Sequence, residues 1–273
     1  MTDYGHPISF GVSLYPSVDE LATTMRLADL ADTEGLDYLA IQDHAYNPEF
    51  LDTWTLIAHL AANTERIAFV PDVADLQLRP PTMLAKAAAS LSVLAVGRIV
   101  LGVGGGASAD GIAAMGGPRR NRTEMIAFTE EALGIMRRAL RGEEVAFRSP
   151  QHAIEGYAAG PLPAAPLPLW LGATGERMLG VTGRASDGWV SPLSIYTTPA
   201  SVPAKQQLID AAARSAGRDP ASLRRIYNVV GSIGSQGRSG LVGDAELWGR
   251  HLDRVGDRAR LRYLHLLAHA GPP

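Results

Sequence analysis

Cysteine is absent from the 273-residue sequence. Disulfides, thiolate metal sites and cysteine nucleophiles are thereby excluded. A basic excess is also lacking. The formal net charge is −3, which gives a polyanion such as nucleic acid nothing to hold. The longest apolar stretches are alanine-rich and broken by polar residues, so no membrane span is expected. Met1 to Pro7 shows no basic region leading into an apolar stretch. No secretory signal is therefore expected, and the expected location is the cytoplasm. H-E-x-x-H does not occur, and no H-x-H follows the first strand, so a barrel metallohydrolase is disfavoured and no metal is expected. G-x-S-x-G is missing as well, which speaks against an acyl-serine hydrolase.

What is present is an alternation of short β-rich runs with longer helical ones. Ile8 to Ser13 reads as the first strand. Ser17-Val18-Asp19-Glu20 has the form of a capping box, and Leu21, Met25, Ala28 and Ala31 follow at helical spacing until Gly35. Further strands are expected at Asp37–Ile41, Arg66–Val70, Ile99–Val103, Leu167–Leu171, Gly188–Val190, Arg225–Val230 and Arg262–Leu267. Helices are expected at Asp52–Ala62, from Pro80-Pro81 to Leu94, from the Asn121-x-x-Glu124 cap to Arg141, and at Glu176–Arg184. Two more run from Thr198-Pro199 to Ala216 and from Asp244 to Val255. Gly142 to Pro166 breaks the rhythm and reads as a hairpin and extended loop inserted before the fifth strand.

Eight strands alternating with helices predict an α/β fold of the (β/α)8 TIM-barrel type, residues 1–273 forming one domain. Only Ala268 to Pro273 follow the last strand, too few for an eighth helix, so either that helix is missing or the strand count is off by one. A barrel without that helix would expose apolar surface for a partner to cover.

In such a barrel, chemistry sits at the C-terminal ends of the strands. The second strand ends in Asp43-His44, an acid beside a group that exchanges protons near neutral pH. A hydrogen bond that merely fixes the loop accounts for this pair equally well. Pro71 to Leu76 after the third strand reads, taken alone, as an ordinary turn. The fourth strand ends in Gly102-Val103-Gly104-Gly105-Gly106-Ala107. This matches G-x-G-x-x-A, but no helix opens at the glycines and no acid ends the next strand, so a cofactor-contacting loop is favoured over a Rossmann turn. Gly172-Ala173-Thr174-Gly175 leads directly into a helix and has the form of an anion nest or a tight turn. Tyr46, Trp54, Trp189 and Tyr196 are either pocket walls or packing. Arg79, Arg119 and Arg120 either bind an anionic tail or are simply solvated.

Gly35-Leu36-Asp37-Tyr38, Gln42-Asp43-His44, Leu51-Asp52-Thr53-Trp54-Thr55, Leu78-Arg79-Pro80-Pro81, Gly97 to Gly104, Met115-Gly116-Gly117-Pro118 and Gly183 to Trp189 occur in this order over most of the chain. Together they resemble the bacterial luciferase-like flavin-dependent oxidoreductases, and more closely their deazaflavin branch, which uses coenzyme F420. The resemblance implies that His44 stands near the reactive centre of the cofactor, with Asp43 beside it. It implies a non-prolyl cis peptide under the flavin ring within Pro71 to Val73, with Asp72 and Val73 touching the cofactor. Gly104, Gly105, Gly106 and Ala107, together with Gly172, Ala173, Thr174 and Gly175, would then surround its tail and phosphate. Ala107 stands where some deazaflavin dehydrogenases carry a catalytic glutamate. The implied activity is hydride transfer between F420 and a small organic substrate, His44 moving the proton and Asp43 orienting it. The alternatives are an FMN-dependent monooxygenase on the same fold and a non-enzymatic flavin-binding protein. A homodimer is expected, because family members are commonly dimers.

Overall fold

The computed structural model describes residues 7–233, 241–244, 246–250 and 263–268. The chain beyond Ala268, where the absence of an eighth helix is expected, lies outside these residues. So do the chain start and half of the expected Asp244–Val255 helix, of which residues 246–250 are helical.

The strands close into a parallel barrel. In space the order is β3 (Ala68–Pro71), β2 (Tyr38–Ile41), β1 (Ser9–Leu14), β12 (Tyr263–Ala268), β10 (Arg224–Ile233), β9 (Gly188–Val190), β8 (Leu169–Gly172), β5 (Leu101–Gly104) and β4 (Ala74–Asp75). A parallel bridge between Phe69 and Ile99 joins β3 to the chain entering β5 and completes the circle. β3 and β4 are two pieces of one barrel strand. β3 pairs with β2 and β4 pairs with β5, and the chain between them carries a cis peptide at Asp72–Val73. A short strand, β11 (Leu241–Gly243), adds to the end of β10.

Side chains alternate along each strand, and the two sets go to different cores. Ala40, Val70, Trp170, Val190 and Ile226, one each from five strands, pack with Val100 at the entry to β5 in the barrel interior. Their neighbours Leu39, Ile41, Phe69, Leu101, Leu169, Leu171 and Trp189 face outward into a second core with the helices. Those helices are α1 (Leu21–Thr33), α2 (Thr53–Ala62), α3 (Pro81–Leu94), α5 (Arg122–Leu140), α6 (Glu176–Ala185) and α7 (Val202–Ser215). A six-residue α4 (Ala109–Ala114) lies in the loop after β5. The inserted segment forms an antiparallel hairpin, β6 (Glu144–Arg148) with β7 (Ala153–Ala158). No described helix is long and apolar enough to cross a membrane.

Local signals explain most helix ends. Asp52 caps α2 by accepting from the Thr55 amide. Asn121 and Glu124 form the reciprocal capping box of α5. At the end of α1, Gly35 takes a φ of +82° and the Leu36 amide returns to the Ala31 carbonyl, as a Schellman motif requires.

Two expected starts differ. Ser17 does not cap α1, because it is drawn into an antiparallel bridge with Phe50 and Val18 donates to the Glu49 carbonyl. Glu20 becomes the N-cap, with no side-chain cap bond. Thr198 likewise makes no side-chain cap: a 3₁₀ turn at Pro199–Ser201 comes first, and α7 begins at Val202. The third and fourth strands sit one or two residues later than their apolar runs suggest, because the barrel pairs Ala68–Pro71 and Leu101–Gly104.

Candidate active site

A cavity of about 350 Å³ opens at the C-terminal ends of the strands. Asp43, His44, Asp72, Val73, Gly104, Gly105, Gly106, Ala107, Gly172, Ala173 and Thr174 all line it, brought together from β2, the β3–β4 break, β5 and β8. Gly175 does not. It lies in an adjoining cleft of about 760 Å³. The two spaces share Gly105, Gly106, Gly172, Ala173 and Thr174 as a common wall.

The glycines have distinct reasons to be there. A Cβ on Gly104 or Gly172 would stand 2.7 or 3.0 Å from the Val73 side chain, so both make room for the residue after the cis bond. Gly106 has a φ of +97°, and a Cβ there would meet Ile112 at 2.5 Å and the Gln77 amide at 2.8 Å.

His44 is half-buried and its Nδ1 lies 2.6 Å from the hydroxyl of Tyr46. No hydrogen bond of Nε2 is seen among the described residues, and His44 lines the cavity. Burial pushes the imidazole below its ordinary pKa, and the nearby Asp43 charge opposes that shift. Asp43 makes no hydrogen bond to His44 and acts on it through its charge. One carboxylate oxygen accepts from the Asp75 amide at 3.2 Å, and the other is buried without a partner. Burial raises the Asp43 carboxyl, while the Asp75 amide and the Arg79 charge pull it down. Asp75 is also raised, first by burial.

Asp72 lines the cavity and is half-buried. Its carboxylate accepts from the Asn228 side-chain amide at 3.1 Å. Burial carries its pKa to about 6, and the Asn228 hydrogen bond counters only part of this. Asn228 also donates to the Ser191 carbonyl at 3.0 Å, which fixes the amide orientation and leaves its own Oδ1 buried without a partner.

The adjoining cleft has the opposite charge character. Arg120, Arg122 and Arg177 line it, with Glu176 as its one carboxylate. It also contains the start of α6, where Gly175 is the N-cap and no side chain caps the amides. Open helix amides and arginines together suit an anion. Among the described lining of the first cavity there is no lysine or arginine.

The remaining sequence candidates sort by contact. Arg79 is paired with Asp52, and Arg119 with Asp110. Trp54 and Trp189 are core residues, Trp189 donating to the Ala173 carbonyl at 2.9 Å. Tyr196 lines the cavity. Tyr15, Asp75, Ser191 and Asn228 also line it and escaped sequence reading, because each lies on a strand or turn with nothing unusual in its spacing. Among the described residues no cluster of side chains is arranged to hold a metal ion.

A closed parallel barrel with its polar cavity at the strand ends, a split third strand and a glycine loop defines the class, and the sequence comparison gives the family. Residues 3–236 match the family model described as luciferase-like monooxygenase, and the chain belongs to this family. It is 32% identical over 213 residues to a 5,10-methylenetetrahydromethanopterin reductase of Methanolobus tindarius, an alignment covering 78% of this chain and 62% of that protein. In fold it is similar to an F420-dependent secondary alcohol dehydrogenase solved with an F420-acetone adduct (TM-score 0.85, 15% identity, covering 96% of this chain and 94% of that one). It is also similar to the FMN complex of the oxygenating constituent of 3,6-diketocamphane monooxygenase from Pseudomonas putida (TM-score 0.79, 17% identity, covering 97% and 93%).

Proposed function

We propose that the protein is an oxidoreductase that moves a hydride between coenzyme F420 and a small organic substrate, with His44 handling the proton. The observation that carries this reading is the charge division between two neighbouring spaces that share one wall. In one stand His44 and three carboxylates without a described cation, and in the other stand Arg120, Arg122, Arg177 and the open start of α6. A cofactor with a flat ring bearing hydrogen-bonding groups and a phosphate-bearing tail suits that division. Relatives at 27% and 30% identity whose names call them F420-dependent dehydrogenases support F420 as that cofactor.

The residues present fit such a group. Asn228 lines the cavity and its Oδ1 is an acceptor without a partner in the protein. Asp43, Asp72 and Val73 would hold the ring, and Gly105 to Ala107 with Gly172 to Gly175 would hold the tail. When bound, the deazaflavin gives or takes a hydride at one ring carbon. His44 then supplies or accepts the balancing proton at Nε2.

We read the whole chain as one barrel domain carrying the β6–β7 hairpin, and as a homodimer in solution. The exposed apolar residues Val93, Leu94 and Val96 at the end of α3 support an interface. Sedimentation of a strictly monomeric species would overturn the dimer.

The cofactor reading is tested by titrating the protein with oxidised F420 and, separately, with FMN, followed by fluorescence. Tighter binding of F420 is expected. Preference for FMN would instead support an oxygen-using monooxygenase. Binding of neither would overturn the cofactor assignment.

A further inference from the structure

Arginines near the two spaces differ in what holds them. Arg79, Arg119 and Arg184 are paired with Asp52, Asp110 and Glu130. Arg120 has no such carboxylate among the described residues. Its Nε donates to the Gln151 side-chain oxygen at 3.3 Å and its Nη1 to the Gln77 oxygen at 3.2 Å. Its guanidinium carbon lies 3.8 Å from the centre of the Phe128 ring. No hydrogen bond of Nη2 is seen among the described residues. Glu124, whose charge Arg120 feels, is committed to the Asn121 amide at 2.8 Å. Arg120 is half-buried, whereas Arg122 and Arg177 in the same cleft are exposed.

One of these neutral supports comes from the tip of the β6–β7 hairpin, and that tip is clamped to α5. The Ser149 hydroxyl accepts from the Gln151 and His152 amides, both at 3.0 Å, and donates to Glu131 at 2.6 Å. His152 Nδ1 lies 3.0 Å from the same Glu131 oxygen. The buried His152 ring then stacks on Phe128 at 4.6 Å and 10°, the ring that also carries Arg120. No hairpin residue lines either space.

We propose that Arg120 is the direct ligand of a phosphoryl group in the cleft, and that the hairpin, through Gln151 and His152, holds it in place for that ligand. Two physical arguments join here. A guanidinium bonded to amide oxygens and laid on a ring keeps its full charge for an incoming anion, which a carboxylate partner would cancel. An arginine fixed before the ligand arrives also loses little side-chain freedom on binding. Gln151 and His152 are positioning residues, because they reach the ligand only through Arg120. The proposal rests on the cofactor reading for the source of the phosphoryl group, a cofactor tail, and gives the inserted hairpin a part in binding it.

The test begins without cofactor. Inorganic phosphate is titrated at constant ionic strength against chloride, and the Arg120 Nε–H resonance is followed by ¹H–¹⁵N NMR, assigned with Arg120→Gln. A saturable shift is expected in the wild type, and its absence would overturn Arg120 as the ligand. His152→Ala and Gln151→Ala should each weaken phosphate binding about 3- to 10-fold, the scale of one cation–π contact or one immobilised side chain. His152→Phe keeps a ring on Phe128 and should bind as the wild type does. Gln151 is half-buried at the tip, so its variant decides the matter even where His152→Ala fails to fold. Wild-type affinity in both alanine variants would overturn the role of the hairpin. The second arm compares F420 with a deazaflavin lacking the phosphate tail. The alanine variants should lose F420 affinity by the same factor and keep their affinity for the phosphate-free ring. Equal losses for both ligands would mean that the hairpin supports the barrel rather than the anion, and would also overturn the proposal. Phosphate binding at Arg120 with no binding of either deazaflavin would sink the cofactor reading and leave the anion site standing.

Discussion

The side-chain amide of Gln77 donates to the Gly105 carbonyl at 2.8 Å while its oxygen accepts from Arg120 at 3.2 Å. The glycine loop is thereby tied to a layered support. The Arg120 guanidinium lies 3.8 Å from the centre of the Phe128 ring, and the His152 ring stacks on Phe128 at 4.6 Å. Arg120 also reaches Gln151 at the hairpin tip, at 3.3 Å. Gln77→Glu keeps an acceptor for Arg120 but loses the donor to Gly105. An unsatisfied carbonyl costs ~1–3 kcal/mol, or about tenfold and more in an equilibrium constant. The Kd for F420 should rise by that factor while kcat at saturating cofactor changes little. An unchanged Kd in a fluorescence titration would remove Gln77 from the account of cofactor binding.

His44→Ala removes the one cavity group that is neutral near pH 7 and able to exchange a proton there. Turnover should fall ~10²–10⁴-fold, the usual contribution of a positioned acid or base. Cofactor affinity should change far less. Steady-state kinetics beside a binding titration separate the two. Equal losses in both would mean that His44 binds the cofactor rather than moving a proton.

Asp72 gives a pH dependence with a definite sign. Its carboxyl is raised from the ordinary 3.8 to about 6 in the folded protein. Between those values the folded state keeps a proton that the unfolded chain has already lost. Stability therefore falls as pH rises through this window, by an amount on the order of 2–3 kcal/mol at ~1.4 kcal/mol per pH unit. Asp72→Asn keeps an acceptor for Asn228 and has no proton to lose. It should melt higher than the wild type at pH 7.5 and at the same temperature near pH 4. Identical melting curves at both pH values would show that the carboxyl titrates normally.

Much of this architecture is legible in the sequence because it depends on local pattern. The strands follow runs such as Leu169-Trp170-Leu171, and α5 begins where Asn121 and Glu124 lie at capping distance. The hairpin was marked by the break in rhythm between Gly142 and Pro166. What escaped is tertiary. Ser17 has the right spacing for a capping box but pairs with Phe50, which is distant in sequence. The α4 segment, Ala109 to Ala114, is too short to show a periodic apolar face. The division of the third strand at Asp72 is set by the pairing of β4 with β5, which no single segment records. Asp43 and His44 were visible as an acid–histidine pair, yet adjacent residues on a strand end point apart. The partner of His44 is therefore Tyr46, two residues on.

Gly183 shows how a motif residue acquires a physical reason only in the fold. It belongs to the Gly183 to Trp189 stretch of the family resemblance. A Cβ there would lie 2.3 Å from the Ile209 carbonyl and 2.8 Å from Ala212, so the glycine lets α6 and α7 touch. Gly183→Val should separate the helices and cost ~1–3 kcal/mol, the usual penalty of overpacking. A melting temperature equal to that of the wild type would refute the close-contact explanation.

A buried charge pair outside the cavity lining joins β10 to α7. Arg225 of β10 donates to Asp210 of α7 at 2.7 Å, and both side chains are almost fully buried. Arg214 also approaches Asp210, at 3.9 Å from an exposed position, and screens it only weakly. Arg225→Met leaves the Asp210 carboxylate in the protein interior without its main counter-charge. Removing one partner of a buried pair costs ~3–5 kcal/mol, which for a chain of this size lowers Tm by on the order of 10 °C. Replacing both, as Asp210→Leu with Arg225→Met, removes the stranded charge together with its partner. The double variant should recover most of the lost Tm, since apolar groups often replace a buried ion pair at little cost. F420 affinity should be the same in all three proteins, because neither residue lines the cavity. Calorimetry on the wild type, the single variant and the double variant decides the matter. If the double variant melts as low as Arg225→Met, the loss lies in the packing of the Arg225 side chain rather than in an uncompensated charge.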